Sequence, residues 1–313
     1  MNSKKSIPLL LNLLFITTTG IAQDLDPRAY IWVPVNTHSA VAGFSYSYGG
    51  VVTDPTLPIK NLDADVQSFL LSYVHSFPLF GKTAQVLAAL PYSWAQVSGE
   101  VQNQPDRITR SGFADMRMRF SVLLVGAPAS TAETIMKSPR KPIVALSLNA
   151  VLPTGQFFPD KLINLGTNRY AIRPEVALSY PLGKRWLLDA YAGVWYFTNN
   201  SSFYPGDAVR TQEPLGAFQA HISYNFTPRH WVALNTTFYT GGESAIDDVK
   251  LDDRQENFRV GITAVMPVGK QNSLKLSVSK GAVVRIGQDF TTISLGWVTS
   301  WLGKTPKSLQ PVE

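Results

Sequence analysis

The chain has 313 residues, of which 45% are hydrophobic and 16% are charged, and it contains no cysteine. Soluble globular proteins usually carry about 25% charged residues, so this composition points away from a soluble class. The absence of cysteine excludes a disulfide framework and a thiolate metal site. The net charge of +6 comes from basic residues scattered along the chain rather than clustered, which excludes nucleic acid as a partner.

The first 22 residues are typical of a secretory signal peptide. Lys4 and Lys5 precede a short apolar run over residues 7–16, and Gly20 and Ala22 are the small residues of a cleavage site. The run is shorter than the roughly 20 residues of a spanning helix, which makes the alternative of a membrane anchor weaker. Cleavage after Ala22 predicts a mature chain that is exported and begins at Gln23.

In the mature chain, hydrophobic residues alternate with polar residues along the sequence. Between residues 112 and 124, the even positions from 114 to 124 are apolar and the odd positions from 115 to 121 are charged or small, and four later segments repeat the pattern. Because side chains of a strand alternate between its faces, each segment has one apolar and one polar face. Segments of about 9–14 residues with aromatic ends favour membrane-spanning strands over a soluble barrel, which remains the alternative.

The connections between these segments also alternate in length. Short turns separate longer polar stretches, which we expect to be outer loops, over residues 49–61, 98–110, 155–168, 199–213, 241–256 and 281–289. Six long loops predict about twelve strands, with both termini in the periplasm. The fold predicted is all-β, an antiparallel up-and-down transmembrane barrel.

The prediction divides the chain into four parts. They are a signal peptide over residues 1–22, an N-terminal segment over 23–38, the barrel over 39–302 and a polar tail over 303–313. The strand-like stretch over residues 30–35 either extends the first strand or folds separately, and the sequence leaves both open. Residues 127–142 are long for the short-turn side, and a helical turn is expected there over residues 131–137.

If the apolar faces meet lipid, the polar faces line the lumen and carry the candidate site. The predicted contacts of a solute are Asp115, Arg117, Arg119, Arg169, Arg173, Glu175, Asp189, His221, Arg259 and Lys275. Basic residues outnumber acidic ones, which predicts a lumen that prefers anions and passes small, carboxylated aromatic solutes. The alternative is that these charges pair with each other and brace the interior.

Other function classes have weaker support. His221 and Ser223 share a face, but no nucleophile elbow or zinc spacing accompanies them, so no catalytic residue, metal or cofactor is predicted. A barrel hydrolase remains a distant alternative. A structural or adhesive barrel is the third class, since the acidic loop over residues 243–256 could bind calcium, although its spacing matches no EF-hand. The partners expected are outer-membrane lipid, a small solute and the barrel-assembly machinery.

Several segments, in this order and spacing, resemble a known bacterial family, the MetA-pathway of phenol degradation. They are DLDPRAY at residues 24–30, LPYS at 90–93, SGFAD at 111–115, GAP at 126–128, NLGTNR at 164–169, TFYTGG at 237–242 and the stretch 259–267. The resemblance implies a transport-type barrel of the Gram-negative outer membrane. It does not imply that phenol is the solute.

Overall fold

The computed structural model describes residues 25–52, 59–101 and 104–304, and most of them lie in β-strands. The wall strands are β1 Thr37–Val52, β2 Ile59–Leu79, β3 Lys82–Val101, β4 Gln104–Phe113, β5 Met116–Val125, β6 Ile143–Leu152, β7 Ala171–Leu182, β8 Trp186–Phe197, β11 Leu215–Thr227, β12 His230–Gly241, β15 Gln255–Val268, β16 Asn272–Val283 and β17 Gly287–Leu302. Four short strands lie in the connections between wall strands: β9 Asn200–Phe203, β10 Ala208–Gln212, β13 Ser244–Ile246 and β14 Val249–Lys250.

These wall strands close into a twelve-stranded antiparallel barrel, in which β4 and β5 together count as one broken strand. Each strand pairs with its neighbour along the chain, and β17 pairs with β1 in register from Thr37–Leu302 to Val52–Gly287. Closure removes the free edges that an open sheet would expose. The predicted fold class and strand number are confirmed. The start of β1 and the end of β17 lie at the same end of the barrel, which we call the periplasmic end.

The predicted alternation of faces is also observed. On β7, Ile172, Val176 and Leu178 are exposed on the outside, whereas Arg173 and Glu175 are buried inside. The outer surface therefore offers apolar side chains to lipid, and the inner surface keeps the polar ones. Aromatic side chains occur near strand ends, for example Trp186 of β8 and Tyr224 of β11, whose ring centroids are 4.9 Å apart.

Three connections differ from the prediction. In the loops expected over residues 49–61, 98–110 and 281–289, most of the described residues lie in strands, because β1 to β4, β16 and β17 extend into these ranges. The loops expected over residues 199–213 and 241–256 contain the four-stranded sheet of order β14-β13-β10-β9. Extended pairing satisfies backbone polar groups that a loop would leave to water.

The strand predicted over residues 112–124 is broken in the structure. β4 ends at Phe113 and β5 begins at Met116, and both pair with β3. The outward side chains change from odd positions on β4 to even positions on β5, since both Phe113 and Met118 are exposed. The break admits the loop over residues 153–170 into the barrel mouth, where Gln156 N donates to Phe113 O at 2.8 Å.

The described residues contain one short helix, α1 Ala132–Lys137, inside the long periplasmic connection as expected. Thr131 caps it, since its side chain accepts a hydrogen bond from Thr134 N. Within the described part of the chain, no helix has the length and apolar character that a helical crossing of a membrane needs.

Candidate functional site

Residues 25–36, here called the N-terminal segment, lie inside the barrel. Asn36 N donates to Ser76 O at 2.7 Å, which fixes the chain at the periplasmic end before β1 begins. Tyr30 is only 1% exposed and packs edge-on against Tyr191 of β8, with ring centroids 5.0 Å apart. The stretch over residues 30–35 therefore folds separately from the first strand, which the sequence had left open.

Tyr30 joins this segment to a buried ion pair on β7. Arg173 Nη2 lies 3.1 Å from Glu175 Oε2, and both side chains are nearly inaccessible. The Tyr30 hydroxyl donates to Glu175 Oε1 at 2.5 Å and lies 2.7 Å from Ser147 Oγ. A carboxylate in such a place needs several partners, because an unpaired buried charge is costly.

Asp26 is the second anchor of the segment. It accepts a hydrogen bond from Arg119 Nη1 at 3.0 Å and lies 3.5 Å from Lys275 Nζ on the opposite side of the lumen. Two cationic partners this close favour the ionised form of the Asp26 carboxyl group. The carboxylate is therefore ionised at neutral pH and bridges two of the predicted lumen cations.

Arg28 is the third anchor. Its Nη1 donates to Asn225 Oδ1 at 2.8 Å, and its guanidinium lies 4.8 Å from the ring centroid of Trp231. Its backbone N–H donates to Asp189 Oδ2 at 3.2 Å, and Ser179 Oγ donates to the other oxygen of that carboxylate. Asp189 is fully buried by these contacts and braces the segment against the wall.

Asp115, predicted to face a solute, instead fastens the loop that enters the mouth. One carboxylate oxygen accepts a hydrogen bond from Gly155 N at 2.9 Å, and the other accepts bonds from Thr167 N at 2.8 Å and Thr167 Oγ1 at 2.6 Å. Gly166 packs so closely that an added Cβ would lie 2.7 Å from the backbone of Gly155. The strand break at residue 115 turned this carboxylate from the lumen to the loop.

Arg169 and Arg259 lie near the outer mouth. Arg169 donates to Gln212, and its guanidinium is 4.5 Å from the ring centroid of Phe197. Arg259 donates from Nη2 to the carbonyl oxygen of Phe290 at 2.6 Å and is 5% exposed. Both side chains contact the wall and its loops.

His221, the candidate of the hydrolase alternative, is 1% exposed. Its Nδ1 lies 3.0 Å from Asn235 Oδ1, and Asn235 donates in turn to Thr263 Oγ1 at 2.9 Å. The ring thus takes part in a chain of uncharged groups that spans β11, β12 and β15, which is the arrangement of a packed structural histidine.

A cavity of about 680 Å³ remains in the lumen beside the N-terminal segment. Much of its wall is hydroxylic, because ten serines of β1, β2, β3, β16 and β17 line it. Several of them bond across strands, for example Ser68 Oγ and Ser93 Oγ at 2.8 Å. These serines were not among the predicted contacts of a solute, although their alternation with outward apolar residues was the available signal.

Basic side chains outnumber acidic ones in the lining of this cavity. Of the predicted site residues, the structure brings Arg117, Arg119, Arg173, Glu175 and Lys275 to the cavity, and the N-terminal segment adds Asp26 and Arg28. Five basic side chains thus line it against two acidic ones. Asp115, Arg169, Asp189, His221 and Arg259 are not among its lining residues.

The family model described as "Putative MetA-pathway of phenol degradation" matches residues 43–295. A crystal structure of an outer membrane channel from Pseudomonas putida F1 superimposes with a TM-score of 0.77 at 20% identity, over 89% of this chain and 100% of that one. The transport unit of the autotransporter AIDA-I from Escherichia coli gives a TM-score of 0.50 at 9% identity, over 91% and 94% of the two chains. The comparison with curated proteins finds no match.

These likenesses place the fold among outer-membrane barrels that form channels or transport units, and the predicted location in the outer membrane agrees with them. The family match covers most of the chain, including the lumen-lining strands from β2 to β16. The protein is therefore a member of the MetA-pathway of phenol degradation family, and its barrel fold is similar to that of an outer-membrane channel.

Proposed function

We propose that this chain is a channel for small solutes, that it prefers anions and admits aromatic molecules, and that it is not an enzyme. The observation that carries the proposal is the cavity, whose lining has five basic side chains against two acidic ones. A net positive lining raises the local concentration of anions and disfavours cations. Ion pairing does not cancel this excess of positive charge, because Asp26 pairs with two cations and the net charge of the lining stays positive.

The ion preference can be measured on the refolded protein in planar bilayers. Under a salt gradient, the reversal potential is expected to show anion preference. Replacing Arg117 and Lys275 together by glutamine is expected to lower the anion-to-cation permeability ratio by about twofold or more, because two of the five lining cations are lost.

The matched control is Arg285→Gln. Arg285 lies in an outer connection, where it donates to Asp252 Oδ1 at 2.6 Å, and it does not line the cavity. The control variant is expected to keep the parental permeability ratio. Cation-selective conductance of the parent, or a ratio that the double variant leaves unchanged, would contradict the proposal.

Export and assembly belong to the same proposal. Cleavage after Ala22 by signal peptidase would leave Gln23 as the new N-terminus, two residues before the segment that enters the lumen. N-terminal sequencing of the protein from outer membranes checks this. The barrel-assembly machinery is the proposed partner during insertion, with β17 as its closing strand.

The adhesive alternative has less support. The acidic residues of the loop over 243–256 are engaged by the protein itself, since Asp253 accepts a hydrogen bond from Ser244 N at 2.7 Å and Asp252 pairs with Arg285. Carboxylates with such partners are poor ligands for calcium unless those contacts break.

A further inference from the structure

The connections at the periplasmic end of the barrel are strongly basic. Residues 80–82, 126–142, 183–185, 228–229 and 269–271 contain eight Lys or Arg residues and one acidic residue, Glu133. All eight basic residues are exposed. Glu133 pairs with Lys137 at 2.6 Å, and the other seven basic side chains have no carboxylate partner within the described part of the chain. The positive charge of this end is therefore not neutralised by the protein itself.

Exposed basic residues at the outer end of the barrel have different surroundings. Lys250 Nζ lies 2.8 Å from Glu213 Oε1, and Arg285 Nη2 lies 2.6 Å from Asp252 Oδ1. Such exposed ion pairs contribute little to stability, but each cancels a positive charge. The two ends of the barrel thus differ in net charge, and the excess of positive charge is a property of the periplasmic end.

Four of these basic residues, Arg140, Lys141, Lys184 and Arg185, lie in two connections that contact each other, and we call them the basic cluster. Arg140 Nη1 donates to the carbonyl oxygen of Lys184 at 3.2 Å, which joins the long connection after α1 to the turn between β7 and β8. Prolines on both sides of the Arg140–Lys141 pair restrict the backbone there. The fold therefore brings the four residues together, while all of them remain exposed.

The basic cluster adjoins the lipid-facing side of the wall. Trp186, the first residue of β8, follows Arg185 directly and is exposed on the outside of the barrel. Arg185 Nη1 donates to the hydroxyl group of Tyr224 at 2.7 Å, and the Tyr224 ring packs edge-on against Trp186. Because Trp and Tyr rings on a membrane protein lie at the level of the lipid headgroups, the cluster is at the level of lipid phosphates.

We propose that the basic cluster binds the headgroup of an anionic phospholipid in the periplasmic leaflet, with the acyl chains against the outer face of β7, β8 and β11. Guanidinium and ammonium groups donate charge-assisted hydrogen bonds to phosphate oxygens. Adjacent basic side chains at a membrane surface attract anionic lipids cumulatively. A soluble acidic partner would use the charges alone, whereas a phospholipid also contacts Trp186, Tyr224 and the apolar wall beside them.

The experiment compares two lipids with the same acyl chains, phosphatidylglycerol and phosphatidylcholine, whose headgroups differ in net charge. Native mass spectrometry of the refolded full-length barrel in detergent measures the affinity for each added lipid. The parent protein is expected to bind phosphatidylglycerol about tenfold more tightly than phosphatidylcholine. Equal affinity of the parent for the two lipids would overturn the proposal.

Replacing all four residues of the basic cluster by glutamine is expected to lower this preference to about twofold or less, because the charge that distinguishes the two headgroups is lost. The matched control removes four exposed positive charges from the outer end, and each of these residues has a carboxylate partner: Lys161→Gln, Lys250→Gln, Arg254→Gln and Arg285→Gln. The control is expected to keep the parental preference. A parental preference in the cluster variant, or an equal loss in the control, would contradict the assignment.

Heat-dependent migration in gels confirms that each variant is folded. Lys184→Gln with Arg185→Gln, confined to an exposed turn, decides the question if the fourfold variant does not fold, and it is expected to lower the preference by about threefold. Inorganic phosphate at the concentration of the lipid is expected to leave phosphatidylglycerol bound, and its complete displacement would show a site for free phosphate instead. None of these measurements depends on ion flow, so conductance that contradicts the proposed channel preference leaves the lipid site to be decided separately.

Discussion

Single residues of the lumen act mainly through pairing. Arg173 and Glu175 lie two positions apart on β7 and face the same way, and the structure joins them at 3.1 Å with almost no exposure. Removing one member of a buried pair strands the other charge in a poorly hydrated place, whereas an exposed pair contributes little. The pairing alternative for these residues and the anion preference of the whole cavity are therefore compatible.

Glu175→Ala is expected to destabilise the barrel by about 3 kcal/mol or more, because it leaves Arg173 without its carboxylate and Tyr30 without its acceptor. Urea unfolding of the protein refolded in lipid vesicles measures the change. Glu133→Ala is the matched control, since its pair with Lys137 at 2.6 Å is more than 70% exposed on both sides. The control is expected to cost about 0.5 kcal/mol or less, and an equal loss in both variants would contradict the assignment.

Among the elements, the N-terminal segment has the largest effect on the lumen. Its three anchors, Asp26, Arg28 and Tyr30, reach wall residues on β5, β7, β8, β11 and β16. The segment therefore reaches across part of the lumen, and the cavity lies beside it, lined largely by the serines of β1, β2, β3, β16 and β17. Its position limits the cross-section available to a solute.

Deleting residues 25–33 is expected to raise single-channel conductance by about twofold or more, because the deletion enlarges the open cross-section of the lumen. The ion preference is expected to change little, since the deletion removes one acidic and one basic lining residue, Asp26 and Arg28. Deleting residues 305–313, a stretch of equal length, is the control. Conductance equal to that of the parent after the first deletion would show that the segment does not restrict the channel.

At the scale of the whole molecule, an even number of wall strands places the start of β1 and the end of β17 at the same end of the barrel. Thr37 pairs with Leu302, and the turn at Phe80 and the helix α1 lie at that same end. The small sheet of β9, β10, β13 and β14 lies at the opposite end. This arrangement predicts which positions a reagent outside the cell can reach.

Because the chain has no cysteine, single cysteines report its orientation directly. Asp248→Cys, at an exposed turn of the small sheet, is expected to react with a membrane-impermeant maleimide on intact cells. Phe80→Cys, at a turn whose side chain is 95% exposed, is expected to react only after the outer membrane is opened. Labelling of Phe80→Cys on intact cells would mean that the barrel has the opposite orientation in the membrane.

Most of the fold could be predicted from the sequence because the signal is local. Alternation along each strand decides which side chains meet lipid, and it correctly put Arg117, Arg173, Glu175 and Arg259 on the inner face. Loop spacing predicted the strand number, since each outer loop joins two wall strands. The resemblance to the family, carried by residues spread over the chain, led to the same architecture.

The tertiary structure alone decided what each inward side chain contacts. Tyr30 and Glu175 are 145 residues apart, and Asp26 and Lys275 are 249 apart, so neither pair leaves a periodic trace in the sequence. The contacts of Asp115 with the loop that enters the mouth likewise form only once the wall has closed. Strand faces follow from neighbours two positions away, whereas the partners of a charge follow from barrel closure, which brings distant strands around one lumen.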